Sequence, residues 1–240
     1  MSDGCLLLLA RGDDPAVLTL REHAQHRLAH ASVGDLACAG WQYVSGRPDQ
    51  ASVYAGGRAI GATDIAAVIC RIAAITASDL PHVHRDDRAY VAPELNAFLR
   101  AWLTQFTGVR FNEPSWASLA GPGWHALQWQ WLAARVGVPV IPSTHPTTDL
   151  ARPLCETVTV VVVDGDVFGS TDPTLVARAR RIARATHSDL LGVTFVHDGK
   201  WKFLSADACP DLDAASAAAV VRRAFSAAPV TLGGRWWAIR

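Results

Sequence analysis

The segment from residue 189 to residue 212, DLLGVTFVHDGKWKFLSADACPDL, constrains the fold more than any other part of the sequence. Its two apolar runs, 190–196 and 201–204, have the composition of β-strands. Between them stands a polar His-Asp-Gly-Lys tetrapeptide, in which Gly199 accepts the positive φ angle of a tight turn. The segment therefore predicts a β-hairpin, followed by a polar stretch that contains Ser205, Asp207 and Asp211.

Strand-like and helix-like stretches alternate along the rest of the chain, which predicts an α/β protein in two lobes. The first lobe, residues 1–141, is expected to be an α/β domain with strands at 5–9, 41–44, 52–55, 65–72 and 109–111 and helices at 16–30, 85–106 and 124–136. Proline and hydroxyl residues in 142–156 predict a linker. The second lobe, residues 157–227, is an expected α+β domain whose antiparallel sheet contains strands 157–163, 190–196 and 201–204, and residues 228–240 form a tail.

The composition argues against several classes of partner. Lys and Arg number 22, Asp and Glu number 22, and the pI is about 7.1, so no basic surplus indicates nucleic acid or an anionic membrane. The longest apolar run is far shorter than the roughly 20 residues of a membrane span. Five scattered cysteines indicate reduced thiols, and no basic segment precedes the short apolar run at 5–10. We therefore expect a cytoplasmic protein.

The second strand of the predicted hairpin resembles a motif of the ATP-grasp superfamily, W-x-F-L-E-x-N-x-x-P-D-L. The matching residues are Trp201, Phe203, Leu204, Pro210, Asp211 and Leu212. In the family, the Glu and Asn of this motif hold the magnesium that bridges the nucleotide phosphates, as hard oxygen ligands do. This chain has Ser205 at the Glu position and Asp207 at the Asn position. The resemblance thus implies a weak metal site at Asp207 and Asp211.

A second block, within residues 65–139, resembles the N-terminal pre-ATP-grasp domain, with microviridin-type peptide ligases and amino-acid ligases as the nearest branch. The family helix reads N-K-x-x-x-x-x-x-A-x-x-x-G-[LIV]-x-V-P. Its later positions are matched by Ala133, Gly137, Val138 and Val140, and Pro142 stands one residue after the position of the final Pro. Its N-K pair is missing, and the residues at or next to its place are Gly123-Trp124 or Trp124-His125.

The resemblance also implies that a large part of the ATP-grasp fold has been lost. A complete member has a lid that supplies two Lys to the phosphates, whereas only residues 143–157 separate the two blocks here. Twenty of the 22 basic residues are Arg, and both Lys, Lys200 and Lys202, lie on the hairpin. Because phosphoryl transfer depends on electrostatic stabilisation, we expect a truncated, catalytically degenerate protein without a cofactor. The alternative is an ATP-dependent carboxylate–amine ligase with a minimal nucleotide site, whose cofactor is Mg-ATP.

Tryptophan is concentrated in two places that predict a binding surface. Trp124, Trp129 and Trp131 lie on or beside one predicted helix, and Trp236 and Trp237 adjoin in the tail. Trp is usually buried in a core, but residues two apart on a helix point to different faces. An interface or ligand groove is therefore an alternative to a purely structural role. We expect the partner to be a second copy or a complete ATP-grasp or other biosynthetic enzyme, with a peptide or amino acid as a further ligand.

Other polar groups have a structural and a functional interpretation. His23, His26 and His30 would share one helix face, which suits either a solvated surface or a transition metal. Asp213 and its neighbouring carboxylates form either a cation site or turn and cap residues. Cys70 and Cys209 have no activating His nearby in sequence and are not expected to be nucleophiles.

Overall fold

The computed structural model of the protein describes residues 4–141 and 156–226. Its strands are β1 Cys5–Leu9, β2 Leu28–Ala31, β3 Ser52–Ala55, β4 Arg58–Gly61, β5 Ile65–Cys70, β6 Val109–Phe111, β7 Thr157–Val163, β8 Asp166–Phe168, β9 Leu190–Asp198 and β10 Lys200–Asp207. Its α-helices are α1 Ala16–Ala24, α2 Val33–Leu36, α3 Arg88–Gln105, α4 Ala126–Arg135, α5 Pro173–Ala185 and α6 Ala214–Ser226. Within these described ranges no helix is long and apolar enough to cross a membrane.

The first lobe is built on a parallel sheet with the strand order β2-β1-β5-β6. The central strand β1 is apolar throughout because both faces of the sheet are covered. Leu7 and Leu9 pack into a core with α3, while Leu6 and Leu8 pack into a second core with α1 and α6. Strands β3 and β4 form a separate two-stranded hairpin beside this sheet.

The second lobe is built on an antiparallel sheet with the order β10-β9-β7-β8. The predicted hairpin and its pairing with β7 are confirmed. Alternate residues of β7 face opposite sides: Val160 and Val162 pack towards α5, and Val161 and Val163 pack towards α6. The chain therefore has the expected α/β organisation, with one parallel and one antiparallel sheet.

The two sheets share a core. Val161, Val163 and Leu190 of the antiparallel sheet lie in the same apolar cluster as Leu6 and Leu8 of the parallel sheet. Helices α1 and α6 also contact each other in this layer. The antiparallel sheet is thus fixed against the parallel one by burial of apolar surface.

Helix α4 packs against the antiparallel sheet, although it precedes the predicted linker. Trp129 and Leu132 lie in one cluster with Phe195 and Phe203. The backbone after the helix also pairs with β10, where Phe203 N–H donates to Pro139 O at 2.7 Å. The domain boundaries stay predictions, since the predicted linker at 142–156 and the tail at 228–240 fall almost entirely outside the described residues.

Two expectations for the first lobe were wrong. The predicted helix at 16–30 ends at Ala24, and its last part becomes β2, which pairs with β1. The predicted strand at 41–44 is reduced to a single bridge between Gln42 and Ser52. Both segments are decided by pairing with distant strands, which the local residue pattern does not specify.

Candidate functional site

The main candidate site is a cleft of about 580 Å³ on the antiparallel sheet, beside the N-terminus of α6. The strands contribute small and hydroxyl residues, and the last residue of β10 and the turn after it contribute carboxylates. The lining residues are Thr159, Val161, Gly169, Gly192, Thr194, Ser205, Asp207, Pro210, Asp211, Leu212 and Asp213. The cleft therefore lies at the hairpin segment that dominates the sequence.

A β-bulge gives the cleft its polar floor. Phe203 pairs with Phe195 and is buried in the core on one side of the sheet, whereas Ser205 pairs with Thr194 on the other side. Residues two apart in a regular strand would share a face, but the register shifts between Phe203 and Ser205. The bulge at Leu204 thus keeps Phe203 in the core while it turns Ser205 and Asp207 towards the cleft.

The hydroxyl groups of the floor contact each other across the strands. Thr159 of β7 stands opposite Thr194 of β9, and their Oγ1 atoms are 3.0 Å apart. Ser205 follows in the same row on β10. This row supplies neutral donors and acceptors to the same cleft that the carboxylates line.

Three carboxylates line the cleft, and two of them have local structural roles. Asp207 Oδ1 accepts a hydrogen bond from the Cys209 N–H at 2.9 Å, which closes the turn. Asp213 Oδ1 accepts from Ser216 Oγ at 2.6 Å and from its N–H at 2.8 Å, which caps the start of α6 as predicted. These bonds hold the pKa of Asp213 below its ordinary value. The third carboxylate, Asp211, is exposed to solvent.

A buried arginine from the parallel sheet holds this acidic turn in place. Arg71 follows β5, and its side chain is 4% exposed. Its Nη1 donates to Pro210 O at 2.8 Å, its Nη2 donates to Cys209 O at 3.3 Å, and its Nε donates to Asp14 Oδ2 at 2.7 Å. Because a guanidinium presents several donors in a rigid plane, one side chain fixes both carbonyl groups.

Asn112, which follows β6, makes a second connection. It has a φ of 64° and a buried side chain that exchanges two hydrogen bonds with Leu190, from Nδ2 to O at 2.8 Å and from N–H to Oδ1 at 3.0 Å. Sequence reasoning missed both Arg71 and Asn112 as site residues. The available signal was that Asn112 directly follows the predicted strand 109–111 and that Arg71 lies at the end of the predicted strand 65–72, since the carboxyl ends of parallel strands commonly form sites.

The predicted metal residues, Asp207 and Asp211, are brought together on the cleft wall. Within residues 4–141 and 156–226, however, no group of three or more His, Cys, Asp or Glu side chains could hold a metal ion. Two carboxylates suit a magnesium ion that retains several waters. The arrangement therefore fits the ion at most through two protein ligands supplemented by water.

Positive charge is scarce at the cleft. Among the described residues that line it, none is Lys or Arg. Lys202 instead pairs with Asp198 at 2.6 Å near the end of the hairpin, and Lys200 is exposed in the same region. The described part of the cleft consequently presents carboxylates and hydroxyls to a ligand.

The predicted tryptophan surface divides into buried and exposed parts. Trp129 is 4% exposed and lies in the core, with Trp124 against it at 4.9 Å between ring centroids. Trp131 is 61% exposed and stacks with Arg135 at 5.1 Å. None of these three residues lines the cleft, and the predicted pair Trp236 and Trp237 lies outside the described residues.

The histidines do not form the alternative metal site on one helix face. His30 belongs to β2, and its Nε2 lies 3.0 Å from Ala10 O, while His23 Nδ1 lies 2.9 Å from Thr19 O. The expectation that Cys70 and Cys209 are poor nucleophiles agrees with their environments. Burial raises the pKa of each thiol to about 12, so little thiolate is present at neutral pH.

Comparison with known proteins places the architecture among ATP-grasp folds. The macrocyclase MdnC from Microcystis aeruginosa MRC, solved bound with precursor peptide MdnA, superimposes with a TM-score of 0.70 at 9% identity over 93% of this chain and 100% of that chain. The ATP-grasp ligase PsnB, complexed with minimal precursor, gives 0.68 at 12% identity over 94% and 99%. A RimK domain ATP-grasp protein from Sphaerobacter thermophilus DSM 20745 gives 0.52 at 13% identity over 93% and 100%.

No family model and no curated protein matches the sequence. The structural likeness therefore rests on shape, and it confirms the predicted ATP-grasp fold. The assignment to a microviridin-type branch stays a prediction. So does the loss of a lid between the two blocks, because residues 142–155 are not among those described.

Proposed function

We propose that this chain is an ATP-grasp-like pseudoenzyme that binds a biosynthetic partner and does not turn over ATP by itself. The observation that carries the proposal is the charge of the cleft. Asp207, Asp211 and Asp213 line it, and no basic side chain does so among the described residues. ATP is polyanionic, so such a cleft repels its phosphates unless cations are brought in.

The chemistry of phosphoryl transfer makes this charge distribution important. Cationic side chains and metal ions supply nearly all the stabilisation of the transferring group. Ser205 carries no charge at the position where the resembled motif has Glu, and Asp207 is already engaged in its turn. We infer that the fold has been kept while the catalytic electrostatics have been reduced.

The exposed part of α4 supports a binding role. Leu127 and Trp131 are 62% and 61% exposed, and they stand one helical turn apart. Exposed aromatic residues are frequent anchors of protein interfaces. We propose a second copy of the chain, or a complete ATP-grasp or other biosynthetic enzyme, as the partner.

MdnC and PsnB were solved with precursor peptides, so a peptide or amino acid is the proposed further ligand. The proposed compartment is the cytoplasm.

The second candidate function is an ATP-dependent carboxylate–amine ligase with a minimal nucleotide site. It is favoured by the position of Asp207 and Asp211 on one cleft wall. In that case Mg-ATP is the cofactor, and the two carboxylates and bound waters hold the metal.

ADP release in the presence of Mg-ATP separates these two functions. The purified chain should release no ADP above the buffer rate, either alone or with candidate amino acids and peptides. If an ATP-grasp ligase is encoded beside it, co-purification of the two proteins should yield a stable complex. ADP release that is abolished by Asp207→Asn, with Asp49→Asn as an exposed control outside the cleft, would establish the ligase instead.

A further inference from the structure

A second cavity, of about 340 Å³, lies at the outer edge of the parallel sheet. It is enclosed by helix α1, strand β2, helix α2 and the turn between β3 and β4. Its lining residues are Arg21, Leu28, Ala29, His30, Asp35, Ala55, Gly56 and Arg58. None of them lines the cleft on the antiparallel sheet, so the cavity is separate from the site of the proposed function.

Two arginines converge on this cavity from different elements. Arg21 comes from α1 and Arg58 from the first position of β4, and both side chains are exposed. Within the described residues, neither guanidinium makes an ion pair or a side-chain hydrogen bond. Since the whole chain has a net charge of zero, this pair of unpaired cations does not follow from a generally basic surface.

The one acidic residue of the cavity is already occupied. Asp35 Oδ2 accepts hydrogen bonds from the N–H and the Oγ of Ser32, both at 2.8 Å, as part of the cap of α2. Its single negative charge offsets only one of the two arginine charges. The cavity wall therefore keeps an excess of positive charge from Arg21 and Arg58.

His30 gives the cavity a fixed wall. Its Nε2 lies 3.0 Å from Ala10 O, and its backbone O accepts from the N–H of Gly56 at 3.2 Å. The ring is held by the residue that follows β1, and the β3–β4 turn that precedes Arg58 is held by β2. The arginines thus extend from elements that are fixed relative to each other.

We propose that this cavity is a binding site for an oxyanion, a phosphate or carboxylate group, held between Arg21 and Arg58. The planar guanidinium matches both groups because it donates two parallel N–H bonds to a pair of oxygens. With both Arg21 and Arg58 lining the cavity, the oxygen atoms of one anion can accept hydrogen bonds from two guanidinium groups. The free anion and the same group carried on a larger metabolite or peptide share this chemistry.

Calorimetric titration with inorganic phosphate and with succinate tests the proposal and distinguishes the two kinds of group. Saturable binding of at least one of them is expected, and Arg21→Gln and Arg58→Gln should each weaken it about tenfold, which is the loss of one charge-assisted contact. Arg85→Gln is the matched control, because it removes an exposed arginine outside the cavity. Tighter binding of phosphate identifies a phosphate site, and tighter binding of succinate identifies a carboxylate site.

The His30 ring provides an independent readout in the unmodified protein. Its NMR signals should shift during the titration, while those of the exposed His82 and His84 should not. The proposal is overturned if neither anion binds, if the three Gln variants weaken binding equally, or if all histidines respond alike. The last two results indicate a general charge effect.

Discussion

Individual residues of the acidic turn have different physical roles. Asp213 is a helix cap, Asp207 closes a turn, and Asp211 is an exposed side chain on the cleft wall. The sequence suggested that all three form one cluster. The hydrogen bonds show that Asp207 and Asp213 hold the backbone, whereas Asp211 is more available to a ligand.

Replacement of Asp213 by Ala should lower the free energy of unfolding by about 1 kcal/mol, because the first turn of α6 loses its cap. The pKa of Asp213 is lowered in the folded protein, chiefly by the Ser216 hydroxyl. The ionised Asp213 carboxylate therefore stabilises the folded protein fully at pH values above its ordinary pKa of 3.8. This stabilisation is lost as the pH falls through the lower pKa of the folded state. Urea unfolding at pH 7 and pH 3 measures both effects. Asp211→Ala should change stability by less than half as much, and equal losses for the two variants would refute the cap.

Replacement of Arg71 by Met should destabilise the protein by about 3–5 kcal/mol, because the partly buried Asp14 loses its partner. The acidic turn also loses the donors that hold its Cys209 and Pro210 carbonyl groups. Adding Asp14→Asn should recover part of the loss, which a double-mutant cycle by chemical denaturation would reveal. A loss below about 1 kcal/mol for Arg71→Met, on the scale of an exposed pair, would contradict this role.

At the scale of single elements, the local pattern identified most of the strands and helices. The strand β7 and the hairpin of β9 and β10 were predicted because their apolar runs are bounded by Asp and Gly turns. β2 was missed, since its Leu-Ala-His-Ala sequence continues the composition of α1 without a break signal. Its pairing with β1 decides its structure, and that contact is not local.

The candidate site was predicted only in part for the same reason. Asp207 and Asp211 could be found because they lie in one motif with the hairpin. Arg71 contacts Pro210 across 139 positions of sequence, and Asn112 contacts Leu190 across 78. One sequence contains no information that pairs residues so far apart. The bulge at Leu204, which sets the face of Ser205, was likewise not visible in the alternation of apolar residues.

The close approach of β9 to the acidic turn gives a test at this scale. A Cβ added at Gly192 would lie 2.8 Å from Pro210 Cβ, too close for an ordinary contact. Gly192→Ala should therefore push the turn outward and cost about 1–3 kcal/mol of stability. Gly12→Ala is the matched control, because the added Cβ meets nothing within 4 Å. Thermal unfolding of the two variants measures the difference, and equal melting temperatures would show that the turn adjusts freely.

At the scale of the whole molecule, the antiparallel sheet shares a core with the parallel sheet on one side and packs against α4 and α5 on the other. The exposed surface of α4 then carries two apolar side chains that stay mostly open to solvent among the described residues, Leu127 and Trp131. Exposed groups of this kind commonly mark interaction surfaces. The described part of the molecule thus has a closely packed centre and an apolar surface on one helix.

Association through α4 predicts a mass above that of the monomer, either for the chain alone or with an enzyme encoded beside it. Trp131→Ala should weaken the complex at least tenfold, because it removes the largest exposed anchor on the helix. Trp116→Ala is the control, since Trp116 is 87% exposed and precedes α4 in the chain without being part of that helix. Light scattering over a concentration series measures the assembly. A strict monomer that binds no neighbour, or equal effects of the two variants, would contradict association through α4.

The central claim is that the ATP-grasp fold is kept here without a working nucleotide site. Calorimetric titration of the full chain with Mg-ATP tests it most directly. The acidic cleft predicts no saturable binding at micromolar ATP, and no change in the titration on Asp207→Ala. Micromolar binding of Mg-ATP that Asp207→Ala abolishes would contradict the claim and favour the alternative of an ATP-dependent ligase.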